Sequence, residues 1–130
     1  MLLVKTYVDH SSIHGLGVFA GEPIKKGTQL WQFHHGLDGT VDVNYLEGFP
    51  VVMQKVIKKY GYRVDEETIV YCCDDTKYMN HSKEDPNVIS TSVSSDVAAR
   101  DIDFGEELTI DYGTFDLDWR QKIDRRTADD

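Results

Sequence analysis

A chain of 130 residues, 40% of them hydrophobic, is long enough for one domain with a core that needs no disulfide bonds. Its 23 acidic and 14 basic residues give a formal net charge of −9. This charge argues against nucleic-acid binding, which needs a basic face. The acidity favours a basic partner, such as a Lys- or Arg-rich protein segment, or it serves only to keep the protein dissolved.

The cysteines and the apolar runs bear on metal binding, membranes and compartment. Cys72 and Cys73 are adjacent, so they are poorly placed to bridge each other, and two thiols alone do not complete a tetrahedral zinc site. No apolar run approaches the ~20 residues of a membrane helix, and Lys5 and Asp9 interrupt the apolar start that a secretory signal needs. We therefore expect a soluble intracellular, cytoplasmic protein without a metal or a membrane contact.

Short strands dominate the predicted secondary structure. Runs rich in β-branched and aromatic residues predict strands at 2–8, 18–20, 28–33, 68–73, 88–93, 96–99 and 107–112. The polar, glycine-containing stretch 34–42 predicts a loop. Many short strands beside one helical segment predict a mainly β or α+β domain.

The helical segment lies between residues 49 and 60, where apolar side chains recur at three- and four-residue spacing. Pro50 suits its first turn and Gly61 suits the position after its end. We expect its apolar face to pack against the sheets. Its lysines, Lys55, Lys58 and Lys59, are expected to lie in solvent near the negative end of the helix dipole.

Each candidate motif is ambiguous when it is considered alone. Gly15 and Gly17 allow the backbone to approach a ligand closely, but glycines also form ordinary tight turns. Asn80 and His81 are compatible with a turn cap and a hydrogen-bonded core histidine, and Tyr112 with a core tyrosine. The chain has no H-E-x-x-H metal spacing and no dinucleotide fingerprint.

The order of the motifs carries more information than any one of them. The chain contains HGLGVFA at 14–20, YMNHS at 78–82, PN at 86–87 and GEELTIDYG at 105–113. In this order and at these separations, the motifs resemble those of the SET-domain protein lysine methyltransferases. The chain is most similar to the compact stand-alone members of that family.

The resemblance implies a mainly β, β-clip-like SET fold. Such a fold has several small sheets, one short helix and a pseudoknot in which the C-terminal segment threads beneath the loop after Asn80. It implies a single SET domain at residues 1–119, with a variable insert at about 40–70. A charged C-terminal tail would follow at 120–130.

The resemblance also implies a function: transfer of a methyl group from S-adenosylmethionine to a lysine of a basic protein or peptide, which would add along a strand edge. It implies no nucleic-acid or membrane binding and leaves a homodimer open. The implied cofactor-binding residues are His14, Gly15, Leu16, Gly17, Asn80, His81 and Trp119. For Trp119, packing at the edge of the core is the alternative to aromatic cover of the cofactor.

Tyr112 corresponds to the catalytic tyrosine of the family. Tyr71, at the end of an apolar strand, is our prediction for a second tyrosine of the lysine channel, with Tyr78 as the other candidate. Packing in the core is the alternative role for Tyr71.

The chain departs from the family pattern in the segment from Asn80 to Asn87, which is one residue longer than usual because of the sequence KED at 83–85. It also lacks a cysteine-rich zinc segment after the domain, and it has Lys77 where arginine is frequent. These departures leave a second hypothesis open, a SET-like module that binds the cofactor or a partner with little turnover.

Overall fold

Short strands separated by polar turns make up most of residues 1–123, the part of the chain that the computed structural model describes. In chain order the strands are β1 (Thr6–His10), β2 (Leu16–Ala20), β3 (Gln29–Gln32), β4 (Gly39–Asp42), β5 (Tyr62–Arg63), β6 (Thr68–Tyr71), β7 (Asn80–His81), β8 (Val88–Ser92), β9 (Ser95–Ala98) and β10 (Thr109–Ile110). The helix α1 (Val51–Tyr60) lies between β4 and β5, and 3-10 turns occur at Val43–Gly48, Asp75–Tyr78 and Tyr112–Thr114. This content confirms the predicted mainly β fold with a short helix.

The strands form three small sheets, as predicted. β1 and β2 pair antiparallel, and a three-stranded antiparallel sheet has the order β4-β6-β5. The largest sheet has five strands in the order β3-β9-β8-β10-β7. Within it β10 runs parallel to both of its neighbours, with Ile110 opposite His81 on one side and Val88 on the other.

The position of β10 gives the domain its threaded topology. β10 lies between β7 and β8, although only residues 82–87 connect those two strands. The C-terminal segment therefore passes beneath the 82–87 loop, which confirms the pseudoknot that the resemblance implies. We call residues 80–88 together with 107–112 the knot.

The main core lies against the five-stranded sheet and β2. It contains ten buried apolar residues: Val18, Ala20, Ile24, Leu30, Met79, Val88, Ala98, Ile102, Leu108 and Ile110. Full burial of one large aliphatic side chain contributes about 1.5–3 kcal/mol, so this cluster is the main source of stability. It packs directly beneath the knot.

Residues 39–71 form a second structural unit, which we call the insert. Its sheet β4-β6-β5, the 3-10 turn and α1 enclose a small core of Leu46, Ile57 and Ile69. Of the residues in α1, only Ile57 is buried, while Val52 is 71% exposed. We expected the helix to pack against the sheets, and it does so through Ile57, which clusters with Ile69 of β6, while Val51, Val52 and Met53 are exposed.

Other local predictions have mixed outcomes. The lysines of α1 are exposed, as predicted. The 34–42 segment is not all loop, since β4 (Gly39–Asp42) pairs with β6 through its β-branched residues. Residues 119–123 are helical, and 124–130 of the predicted tail lie outside the described residues, so the boundary of the tail stays a prediction. In residues 1–123 no helix has the length and apolar character needed to cross a membrane.

Candidate active site

A single side-chain amide holds the 14–17 loop against β7. Asn80 Nδ2 lies 3.0 Å from the carbonyl oxygens of His14 and Leu16 and 3.1 Å from Glu107 Oε2. Asn80 is 2% exposed, so its amide makes these hydrogen bonds in place of bonds to water. The structure thus brings together three of the predicted cofactor residues, His14, Leu16 and Asn80.

The two glycines of this loop meet different requirements. Gly15 has a φ of 49°, in the left-handed region, and a Cβ atom there would meet open space. Gly17 is buried, and a Cβ atom there would lie 2.8 Å from Glu107 Oε2. The first glycine leaves an open backbone surface, and the second allows the carboxylate to approach closely.

Glu107 is a positioning residue that the sequence reasoning missed. Its carboxylate accepts hydrogen bonds from Asn80 and from the hydroxyl of Ser11, which lies 2.8 Å from Oε1. It therefore links the start of β10 to the loop near the N-terminus. An acidic residue directly before the buried Leu108 was the signal available in the sequence.

Asn87 binds the threaded segment from the other side. Its Nδ2 donates to the carbonyl oxygen of Glu107, and its Oδ1 accepts from the N–H of Thr109, both at 2.8 Å. The residues at 83–85 are exposed. The longer loop therefore projects into solvent, while Asn87 keeps its hydrogen bonds to the backbone of Glu107 and Thr109.

Three aromatic rings meet next to this backbone. His81 Nδ1 accepts the N–H of Tyr112 at 3.0 Å, and the His81 ring lies 5.2 Å from the Tyr112 ring and 5.6 Å from the Trp119 ring. The Tyr112 hydroxyl donates to the carbonyl oxygen of Met79. The structure thus joins the predicted residues His81, Tyr112 and Trp119 in one cluster.

Tyr112 also lines a cavity of about 60 Å³. Further aromatic side chains in its wall are Trp31, Tyr60, Tyr62 and Phe115. The Phe115 ring lies 5.1 Å from that of Tyr62 and 6.0 Å from that of Tyr112. The cavity is therefore an aromatic box that shares Tyr112 with the His81 cluster.

Tyr71, our predicted second channel tyrosine, is not one of the residues that line this cavity. The Lys77 ammonium lies 6.0 Å from its ring. Two other tyrosines, Tyr60 and Tyr62, line the cavity, and both belong to the insert. The sequence reasoning assigned Tyr60 to the packing face of the helix and gave no role to Tyr62, because periodicity does not indicate which aromatic residues border a cavity.

Charged groups also line the cavity. Asp116 is 3% exposed and lies 2.5 Å from Lys122 Nζ, which also donates to the carbonyl oxygen of Gly61. The Lys122 ammonium lies 5.8 Å from the Tyr112 ring centroid. A second carboxylate, Asp96, is 8% exposed, and burial raises its pKa to about 7.

No group of three or more His, Cys, Asp or Glu side chains in residues 1–123 is arranged to hold a metal ion. The polar groups that converge between the 14–17 loop and β7 are backbone carbonyls, the Asn80 amide and the Glu107 carboxylate.

Comparison with known proteins places this site in a family. The SET domain family matches residues 15–113, which include the loop, the knot and Tyr112. N-lysine methyltransferase KMT5A-A of Danio rerio is 31% identical over 118 residues, covering 76% of this chain and 32% of that protein. The chain thus spans about a third of the length of this relative.

Solved structures show the same fold. A Plasmodium falciparum protein named as a histone methyltransferase superposes with a TM-score of 0.59 and 26% identity, over 86% of this chain and 96% of its own. A humanized mutant of the Chaetomium thermophilum Polycomb Repressive Complex 2 gives a TM-score of 0.66 over 91% of this chain and 16% of its own. At 20% identity the second likeness is one of fold alone. With a family match over most of its length, the chain belongs to the SET domain family.

Proposed function

We propose that this chain is a protein lysine methyltransferase that uses S-adenosylmethionine. The observation that carries the proposal is the position of Tyr112, which contacts the His81 ring on β7 and lines the aromatic cavity. A residue common to two adjoining sites suits a transfer between a donor in one and an acceptor in the other. The name of the Danio rerio relative supports the same activity.

The residues around Asn80 fit the chemistry of this cofactor. Gly15 leaves an open backbone surface, and the His81 and Trp119 rings offer aromatic faces, which attract cations. We propose that the 14–17 loop, Asn80, His81 and Trp119 hold S-adenosylmethionine. When bound, it supplies a methyl group attached to a positively charged sulfur.

The aromatic cavity suits a lysine side chain. A free lysine has a pKa of about 10.4, so its neutral, nucleophilic form costs about 4.6 kcal/mol at pH 7. Aromatic walls remove water from the ammonium, which lowers its pKa. We propose that the Tyr112 hydroxyl, which donates a hydrogen bond to the Met79 carbonyl, orients the amine.

The substrate class follows from charge. A net charge of −9 attracts a basic segment at long range and raises its association rate. We therefore propose a lysine-containing basic peptide or protein as the acceptor.

Transfer of a labelled methyl group to core histones and basic peptides tests the proposal. We expect Tyr112→Phe to lower the rate about 100-fold, because the hydroxyl that aligns the amine is lost. Tyr45→Phe is the matched control, since Tyr45 is 73% exposed, and it should keep the wild-type rate. Thermal melts of both variants check that they fold.

Equal rates for wild type and Tyr112→Phe would contradict the assigned role of Tyr112. Calorimetry with S-adenosylmethionine separates the remaining cases. Binding without transfer to any substrate supports the second hypothesis, a SET-like module with little turnover. Absence of both binding and transfer removes the proposed function.

A further inference from the structure

Three side chains from neighbouring strands form one wall of the cavity. Trp31 of β3 is the register partner of Asp96 of β9, and Asp96 is the register partner of Ser90 of β8. Partners in register project from the same face of a sheet. All three line the cavity that Tyr112 also lines, so this wall places a carboxylate among the aromatic side chains of the cavity.

Asp96 differs from the other carboxylate of the cavity. Asp116 is paired with Lys122 at 2.5 Å, whereas Asp96 forms no ion pair with any described residue. The indole N–H of Trp31, on the adjacent strand, is buried and has no hydrogen-bond partner in residues 1–123. Burying a carboxylate without a cation costs free energy. Its presence in this wall therefore indicates a ligand that carries a positive charge or donates a proton.

The surroundings of Asp96 place its titration in the physiological range. Burial raises its pKa to about 7, and a hydrogen bond from Ser90 and the positive charge of the Met1 ammonium oppose the rise. Tyr62 and Cys72 also interact with it, and burial raises the pKa of both. The other charged groups that line the cavity are Lys59, Lys77, Asp116 and Lys122.

We infer that Asp96 accepts the proton of the substrate lysine, an inference that rests on the proposed function. One N–H bond of the lysine ammonium breaks, its electron pair stays on nitrogen, and the proton binds a carboxylate oxygen of Asp96. The products are a neutral amine and a neutral carboxylic acid. The acid returns the proton to water before the next turnover.

Burial favours this transfer. In water a lysine holds its proton about 6.5 pKa units more strongly than an aspartate does. Removal of water raises the carboxylate pKa and lowers the ammonium pKa, in each case by up to about 3–5 units for full burial. Lys59 and Lys77, which line the same cavity, also disfavour the positive charge of a substrate ammonium there. The attraction between the two charged groups opposes these shifts, so burial lowers the free-energy cost of the neutral pair only by the difference between the two effects.

The pH profile of methyl transfer with Asp96→Asn tests the inference. We expect kcat/KM at pH 7 to fall about 100-fold, as for loss of a proton acceptor, and the difference to shrink at high pH, where solution hydroxide deprotonates the amine. Asp103→Asn makes the same chemical change at an exposed position and should keep the wild-type profile. An Asp96→Asn profile that matches wild type overturns the inference.

Thermal stability gives a readout that is independent of activity. The pKa of Asp96 is raised in the folded state, so the folded protein binds more protons than the unfolded chain between about pH 4 and pH 7, and stability falls as pH rises through this range. Asp96→Asn removes the free-energy cost of holding an ionised Asp96 in the folded protein. It should match wild type near pH 4 and melt at a higher temperature at pH 8. A lower melting temperature at pH 8 indicates a structural role and overturns the inference.

Carbon-13 NMR of the aspartate carboxyls in wild-type protein, assigned through bonds from the backbone signals, covers the case in which the Asp96→Asn variant does not fold. A midpoint near 7 for Asp96 supports the inference. A midpoint near 4 overturns it. Wild-type protein that binds S-adenosylmethionine and transfers nothing contradicts the proposed function, and the inference fails with it.

Discussion

The knot and the insert are stabilised in different ways. In the knot, the backbone contacts of β10 are reinforced by the side-chain amides of Asn80 and Asn87 and by the carboxylate of Glu107. In the insert, three buried apolar side chains hold a small sheet and a helix together. Directional hydrogen bonds fix one geometry, whereas a small apolar core tolerates changes of shape.

This difference matches the division of the candidate site. Except for Trp119, which lies against His81, the predicted cofactor residues belong to the knot and to the loop that Asn80 holds. Tyr60 of the insert's helix and Tyr62 of its first short strand after that helix contribute to the cavity wall. If the proposed assignment holds, a change in Tyr60 or Tyr62 alters the proposed acceptor cavity without altering the hydrogen bonds of the proposed cofactor site.

The largest effect is expected from Asn80→Ala. It removes the donor shared by two backbone carbonyls and Glu107, and unsatisfied buried groups cost about 1–3 kcal/mol each. We expect a loss of about 4 kcal/mol in the free energy of unfolding, measured by urea denaturation. Asn44→Ala is the control, because Asn44 is exposed. If Asn80→Ala and Asn44→Ala lost similar amounts of unfolding free energy, the knot would not depend on side-chain hydrogen bonds more than the insert does.

Gly17→Ala should have the next largest effect. A methyl group there would lie 2.8 Å from Glu107 Oε2 and 3.2 Å from Ser11 Cβ, so the carboxylate must move. We expect a loss of about 2–3 kcal/mol in the free energy of unfolding. In Gly15→Ala the added methyl group meets open space. We expect a loss of only about 1 kcal/mol in the free energy of unfolding, because alanine is strained in the left-handed backbone conformation. The reverse order would show that Glu107 is not fixed.

Ile57→Ala tests the insert. The small core can partly collapse around the loss, so we expect about 2 kcal/mol, the low end for such a change. Calorimetry should show unchanged affinity for S-adenosylmethionine, and the transfer assay a changed KM for the peptide. A weakened cofactor affinity would mean that the two regions are coupled.

Deletion of Glu84 should have the smallest effect. It shortens the loop of the knot by one residue within the exposed 83–85 stretch, and Asn87 can keep both of its 2.8 Å contacts. We expect a change below about 0.5 kcal/mol in the free energy of unfolding. A large loss would show that the longer loop is itself required.

Local patterns in the sequence predicted some parts of this fold better than others. The strands around 88–93 and 96–99 were predictable, since β-branched residues alternate there and a short serine turn joins them. β7 was not, because Asn80 and His81 become a strand only by pairing with β10, which lies far along the chain. The threading itself came from resemblance, since no local pattern encodes it.

The candidate site shows the same limit. The order of the motifs predicted that Asn80, His81 and Tyr112 belong together, and the structure brings them into one region. Glu107 and Asp96 were missed, because their significance depends on burial and on partners from distant strands. The periodicity of a sequence predicts which face of a strand or helix a side chain lies on, but it does not predict which cavity that face borders.

The threading has a consequence for synthesis on the ribosome. A nascent chain that stops before residue 107 has made Asn80 and Asn87 but not their partners on Glu107 and Thr109. Until the last part of the domain emerges and passes beneath the loop, the Asn87 amide lacks both of its partners and the Asn80 amide lacks Glu107. Folding must therefore be late and must draw on contacts distant in sequence, which is slow and leaves unpaired strands exposed to chaperones and proteases. Because of this topology, the candidate site forms only after residues 107–112 have been synthesised.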